Sequence, residues 1–362
     1  MFLGFGEIML RAAPSGMHTF RQALPGPLEC TFGGGEANVC ASLALLGRPV
    51  RYMTALPNHA IADAVAATLA GLGIDTRPIL RRGEGRLGIY FLEGGANQRA
   101  SKVIYDRARS AVSLAAPDEY DFDAALEGVG RVHVTGITPS LSENAFRSTL
   151  ALVEKAGRSG VIVSCDLNFR KKLWRWRPGT DPQSLARECM KQILAHVTLA
   201  IGNEEDAEKV LGICAEGTEV ESGHINPAAY EQVAREVRRQ FPNIRQVAIT
   251  LRESLSASHN NWGAMLFDAD ADRAFFAPTD AEGRYAPYAI RNIVDRVGGG
   301  DSFAAGLIYA LDCEPYHEPA DAIRFAVAAS CLKHSIPGDF NYATLDDIAA
   351  LAAGQASGRV QR

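Results

Sequence analysis

Apolar residues in this chain keep switching between two rhythms. Short, nearly continuous apolar runs at 2–10, 51–56, 131–134, 161–167, 197–201 and 246–251 read as strands. Between them, at 36–46, 61–72, 143–156, 182–194, 205–211 and 228–240, apolar residues recur at helical spacing. Gly47 ends the first helical stretch, and glycine ends the second as well. Strands at 263–268 and 273–277 follow, then an apolar run at 292–294 that reads as a strand end. Helices after Asp301, at 320–334 and at 345–352 close the chain. Residues 213–226 read as a surface loop, and the tail from Gly354 as frayed.

One region breaks the alternation. Strand-like runs at 87–93 and 102–107 are joined by Gly94-Gly95-Ala96-Asn97, which reads as a hairpin. Residues 11–32 carry Pro14, Pro25 and Pro27 and read as irregular or edge strand. The expected fold class is α/β, a doubly wound, mostly parallel sheet with a small β-sheet lid. Residues 1–10, 33–83 and 108–353 would form the α/β domain, 11–32 and 84–107 the inserted lid, and 354–362 a tail. Ligands in such sheets bind beyond the carboxyl ends of the strands, so a lid there would exclude water.

Composition narrows the classes. The 362 residues carry a net charge of -5, which gives no general basic surface for nucleic acid. Seven scattered cysteines include no C-x-x-C pair, which argues against a zinc or redox site. The eight histidines show no ligand spacing. The first residues have no basic segment, and no apolar run is long enough to span a bilayer. A cytoplasmic protein with no membrane partner is the expectation.

The candidate chemistry begins at Gly298-Gly299-Gly300-Asp301, where a strand end turns into a helix. Glycines there let backbone N–H groups converge, and the first N–H groups of a helix favour an anion. A carboxylate beside an anion site has reason to be there if it takes a proton from an attacking hydroxyl. A plain Gly-rich turn with Asp301 as N-cap is the alternative. Gly33-Gly34-Gly35-Glu36-Ala37-Asn38 is a second Gly-rich helix start, suited to touching a polyol or simply to connecting strand and helix. Tyr105 and Arg107 share one strand face, with Tyr90 on the facing strand: a flat surface and a cationic fork, or a packing Tyr beside a solvated Arg. Asp166-Leu167-Asn168-Phe169-Arg170 follows an apolar strand, and Gly202-Asn203-Glu204-Glu205-Asp206 opens a helix with acidic residues.

Asp-x-x-Gly-Gly-Gly-Asp-x-Phe, at residues 295–303, resembles the C-terminal signature of the ribokinase-like (PfkB) sugar kinases. The resemblance implies Gly298, Gly299 and Gly300 as an anion hole and Asp301 as the base for the substrate hydroxyl. Gly34, Gly35, Glu36, Ala37 and Asn38 would be the sugar-contact segment. Tyr90, Tyr105, Arg107, Arg170 and Asp339 resemble substrate contacts of the family's 2-keto-3-deoxygluconate kinase branch, where two arginines suit a sugar acid. Asn168, Arg170, Asn203, Thr250, Gly298 and Gly300 would meet the nucleotide. No residue is expected to hold metal directly, though Asp206 could do so through water. The implied small molecules are ATP, Mg²⁺, a sugar acid and, optionally, a monovalent cation. Phosphorylation of 2-keto-3-deoxygluconate to its 6-phosphate is the expected reaction. Alternatives are a fructokinase-like sugar kinase or a non-catalytic sugar-binding protein of the same fold. A dinucleotide oxidoreductase is disfavoured, because no G-x-G-x-x-G follows the first strand. Residues 250–258 lack the glycines usual in the family's nucleotide loop. Open sheet edges make a homodimer or higher homo-oligomer the expected assembly.

Overall fold

The computed structural model describes residues 1–203, 205–213 and 227–355. At its centre lies a nine-stranded sheet. Its parallel strands run in the spatial order Val50–Met53, Phe2–Phe5, Arg131–Thr135, Ile162–Asp166, Leu199–Asn203 and Gln246–Ser256. His259–Asp268 and Arg273–Ala277 extend it antiparallel, and Tyr288–Arg291 pairs with the start of His259–Asp268. Strand alternation sends Leu3 and Phe5 into one core and Phe2 into the other. Helices Glu143–Arg158, Pro182–Leu194 and Pro227–Gln240 cover the first face. Gly35–Leu45, Ala60–Gly71, Gly299–Leu311 and Pro319–Lys333 cover the second. Burial on both faces explains why the strands read as continuous apolar runs rather than as alternation.

A separate four-stranded sheet has the order Glu29–Gly33, Met9–Ala13, Gly88–Glu93, Lys102–Asp106. The hairpin pairs antiparallel, and Met9–Ala13 joins it in parallel. The tip of that hairpin is tied to the main body. Ala257 N–H donates to the Asn97 carbonyl at 2.7 Å, and Asn97 N–H donates to Ser258 Oγ at 2.9 Å.

Several boundaries differ from the sequence expectation. The run at 2–10 is two strands in two sheets, parting at Gly6, where a side chain would collide with the Glu36 carboxylate. The run at 51–56 also splits, because Ala55–Pro57 leaves to pair with Leu80–Arg82. A continuous apolar run carries no mark of where one sheet hands over to another. The strand before the glycine turn is Tyr288–Arg291, and 292–294 lie beyond it. The helix expected at 205–211 is a π-helical turn, Ala207–Leu211. Residues 250–258 form no loop. The strand runs on to Ser256 and returns at His259, so a hairpin replaces the expected glycines. Short helices at Phe20–Ala23, Ala111–Leu114 and Phe122–Leu126 were not expected. The loop at 214–226 and the tail from 356 lie outside the described residues. No described helix is long and apolar enough to cross a membrane.

Candidate active site

The carboxyl ends of the central strands and one face of the small sheet line a single cavity of about 540 Å³, within the usual range for small-molecule sites. Gly298 is the N-cap of helix Gly299–Leu311, with φ of 81°, and Asp301 sits in the first helical turn. The N-cap reading of Asp301 is thereby corrected: the cap is glycine, because only glycine fits. A side chain at Gly298 would be strained by that φ and would strike the backbone oxygen of Asp339. The first intrahelical acceptor, Gly298 O, is taken by Ser302 N–H at 2.8 Å. The N–H groups of Gly299, Gly300 and Asp301 come earlier and have no acceptor inside the helix. A side chain at Gly300 would meet nothing within 4 Å, so this turn faces open space. The chemistry available is an anion cradle with a carboxylate on its rim.

The second glycine motif meets the first. Gly34 N–H donates to Asn38 Oδ1 at 3.2 Å, and Asn38 Nδ2 donates to Asp301 Oδ2 at 2.6 Å. Burial pushes the Asp301 carboxyl up to about 6, and Asp339 adds to that rise, while Asn38, Arg170 and Lys333 oppose it. A carboxylate so tuned is ionised at neutral pH yet basic enough to take a proton. Gly34 itself approaches the Glu7 carbonyl so closely that a Cβ would collide with it. Glu36 lines the cavity, but its carboxylate turns inward, accepting from Thr135 Oγ1 at 2.8 Å and Thr138 Oγ1 at 2.9 Å. Burial pushes it up to about 7. Ala37 does not line the cavity; it is fully buried in the core on the other side of its helix.

Tyr90, Tyr105 and Arg107 line the small-sheet side, Arg107 lying 5.4 Å from the Tyr105 ring centroid. Tyr105 is 46% exposed, at the mouth, whereas Tyr90 is buried. The Arg107 guanidinium is ion-paired to Glu7, and its Nε has no partner among the described residues. Arg170 faces the pair across the cavity, exposed and without an ion pair to a described residue. Asp339 lines the cavity too, but is buried and engaged by its neighbours. It accepts from Tyr90 Oη at 2.5 and 2.6 Å and from Arg11 Nη1 at 2.9 Å. Arg11 also donates to Asp295 Oδ2 at 2.5 Å. Burial works against the Arg11 charge, but Asp295 and Asp339 more than offset it.

Asn168, Asn203, Asp206 and Thr250 line the opposite part of the cavity. Thr250 and Asn203 are partners in adjacent strands. Asn168 has φ of 37°, a left-handed conformation that Asn tolerates and that marks a shaped turn at a strand end. Asp206 accepts from Asn203 N–H and Phe169 N–H, each at 3.0 Å. Burial and then the charges of Asp206 and Asp301 push Asp166 up. Two buried carboxylates, each pushed up by burial, suit a divalent cation held between them and a phosphate. No cluster of three or more metal-ligating side chains occurs among the described residues, so protein alone would not complete a shell.

Every site residue expected from sequence lines this cavity except Ala37. Glu7 and Arg11, which the sequence did not point to, line it as well, as do Asp166 and Asp295, which stand in the motifs quoted above without a role of their own. For Glu7 and Arg11 the available signal was charge set into an apolar run, around Ile8, Met9 and Leu10.

Comparison with known proteins agrees with this architecture. The profile of the pfkB family carbohydrate kinases matches residues 8–341. The crystal structure of 2-dehydro-3-deoxygluconokinase from Thermotoga maritima superposes with a TM-score of 0.87 at 42% identity, covering 98% of this chain and 99% of that one. A PfkB family carbohydrate kinase from Listeria grayi gives a TM-score of 0.84 at 30% identity, over 97% and 99% of the two chains. The 2-dehydro-3-deoxygalactonokinase of Haloferax volcanii is 27% identical over 98% of this chain and 97% of its own length. With its glycine-turn site and its match over most of its length, this chain belongs to the pfkB family of carbohydrate kinases.

Proposed function

We propose that this kinase transfers the γ-phosphoryl group of ATP to the terminal hydroxyl of 2-keto-3-deoxygluconate, giving the 6-phosphate. The observation that carries the reading is the convergence of Asp301, set in the glycine turn, with two arginines in one cavity. Arg107 and Arg170 together suit a carboxylate on the sugar, which a neutral hexose lacks. The Thermotoga relative, named for 2-dehydro-3-deoxygluconate (the same compound), supports that substrate.

Asp301 takes the proton of the hydroxyl as it attacks, and Asn38 holds the carboxylate in place. The N–H groups of Gly299, Gly300 and Asp301 bind the charge that grows on the transferring oxygens. Tyr90 and Tyr105 flank the carbon chain, Gly34 and Gly35 let the backbone approach it, and Asp339 holds Tyr90 beneath it. Asn168, Asn203 and Thr250 meet the nucleotide. Mg²⁺, which neutralises phosphate charge when bound, would be held at Asp166 and Asp206 through water. The small sheet keeps water from the donor. The proposed workplace is the cytoplasm, where ATP is available. The open strand Lys102–Asp106, with Ile104 exposed, suits pairing with a second copy.

A coupled assay for ADP against a panel of sugar acids and neutral sugars tests the reading. A kcat/KM for 2-keto-3-deoxygluconate at least tenfold above fructose and ribose is expected. The galacto epimer belongs in the panel because of the Haloferax relative. Higher kcat/KM on fructose would transfer the assignment to a fructokinase-like enzyme. Sugar binding with no ADP formed would make it a binding protein.

A further inference from the structure

A lysine is sealed beneath the glycine turn, where the reading above gives it no task. Lys333 ends helix Pro319–Lys333 and is 0% exposed. Its ammonium has three protons but makes one hydrogen bond among the described residues, to the Ile336 carbonyl at 2.8 Å. It forms no ion pair with a described residue. Its Cε lies just behind the turn, 3.2 Å from where a Cβ on Gly298 would sit. The same helix end is bolted to the turn, with Ser330 Oγ donating to the Gly299 carbonyl at 2.6 Å and Val294 N–H donating to the His334 carbonyl at 2.8 Å. A methionine would fill such a slot without the cost of burying charge.

The surrounding charge supplies a reason. Burial holds Lys333 below the ordinary lysine value, while Asp295, Asp339 and Asp301 favour its charge from the turn and its flanks and Arg11 opposes it. Arg11 is committed to Asp295 and Asp339 through direct ion pairs. His334, next in the chain, is held neutral by burial, at about 4. The carbonyl end of helix Pro319–Lys333 adds further negative potential. Two carboxylates and a helix carboxyl end therefore lie behind an anion cradle that carries Asp301 on its rim, and behind the turn Arg11, already paired, is the other cation beside Lys333. A phosphoryl group could not enter such a field favourably.

We propose that Lys333 is a built-in cation of the phosphoryl-transfer site, whose buried ammonium keeps the glycine turn electropositive when the anionic group arrives. It touches no reactant and is a positioning residue acting through Gly298 to Asp301. The inference rests on the kinase reading, and wild-type turnover tests that reading separately. The charges facing Asp301 are Asp339, Asp166 and Glu36 on one side and Arg170 and Lys333 on the other.

The test compares wild type, Lys333→Met and Lys333→Ala in the coupled assay, with melting curves to establish folding. Lys333→Met should lose about tenfold to a hundredfold in kcat, with the sugar KM changed less than about threefold. Its acid limb should move to higher pH by roughly half a unit or more, since a cation near Asp301 has gone. Ammonium or potassium chloride should restore part of the Lys333→Ala rate, and tetramethylammonium chloride should not. Wild type should turn over equally in potassium and tetramethylammonium salts, a measurement that needs no variant to fold. A wild type that requires potassium would overturn the proposal. So would a folded Lys333→Met with wild-type kcat and pH profile, or a rate loss with neither a limb shift nor rescue.

Discussion

Asp301→Asn separates a catalytic carboxylate from a structural one, because the two roles move activity and stability in opposite directions. The substitution keeps the size of the side chain and an oxygen that can still accept from Asn38 Nδ2, now 2.6 Å from Asp301 Oδ2. It removes the proton acceptor. A positioned general base contributes about 10²–10⁴-fold, or roughly 3–5 kcal/mol of barrier, so kcat should fall by that factor. Stability should move the other way. Asp301 is raised from the ordinary carboxylate value to about 6 by burial, with Asp339 adding. A carboxyl whose folded value lies above its unfolded one favours folding fully below the unfolded value. That advantage is lost as pH rises from about 4 to about 6, and at neutral pH the ionised group opposes folding by about 1–3 kcal/mol. The neutral amide escapes this opposition, so the variant should melt about 1–4 °C higher at pH 7.5 and show no such gain at pH 4. Steady-state ADP release and differential scanning fluorimetry, each across pH 4–8, read both quantities. Turnover above about a tenth of wild type would refute the base assignment. A lower melting temperature with a weakened sugar KM would show that Asp301 holds the fold rather than the proton.

Three further outcomes follow from the same geometry. Asn38→Ala removes the hydrogen bond that favours ionised Asp301, so the acid limb of kcat should shift above that of wild type, read in a pH–rate profile, with kcat about tenfold lower. Arg107→Leu combined with Arg170→Leu should raise KM for the sugar acid at least about a hundredfold and change that for fructose less than about threefold, because each charge-assisted pair to a carboxylate is worth roughly 1.5–3 kcal/mol. Gly298→Ala meets both a φ of 81° and the Asp339 backbone oxygen, so chemical denaturation should show a loss of at least about 2 kcal/mol, and activity should fall as the turn shifts.

The parts of this molecule that sequence makes legible are the local ones. Glycines before a helical rhythm announce the turn at Gly298–Gly300, and the turn-rich segment between 93 and 102 announces the hairpin, because each signal lies within a few residues of what it shapes. The double winding is equally legible, since strands buried on both faces must be apolar throughout. The handover between sheets at Gly6 is not, because the residue that crowds Gly6 is Glu36, on another element. Arg11 has no local signal either, for its partners Asp295 and Asp339 are 284 and 328 residues away. Glu36 looks like a sugar contact in the sequence and proves to be turned inward, since Thr135 and Thr138 come to it only when the central strands assemble. Lys333 reads as one more charge on a helix end until the helix is seen to stop beneath the turn.

Asn38 and Asp301 are 263 residues apart in the chain and one hydrogen bond apart in space. The site therefore does not exist on a nascent chain until residue 301 has left the ribosome. It also vanishes in any excursion that peels the final helices from the sheet while leaving the rest intact. Turnover thus requires both halves of the chain to be in place, and residual activity during mild denaturation should be lost when helices Gly299–Leu311 and Pro319–Lys333 undock, even with the amino-terminal half intact. Hydrogen exchange on those two helices, followed alongside activity, would show whether the two losses coincide.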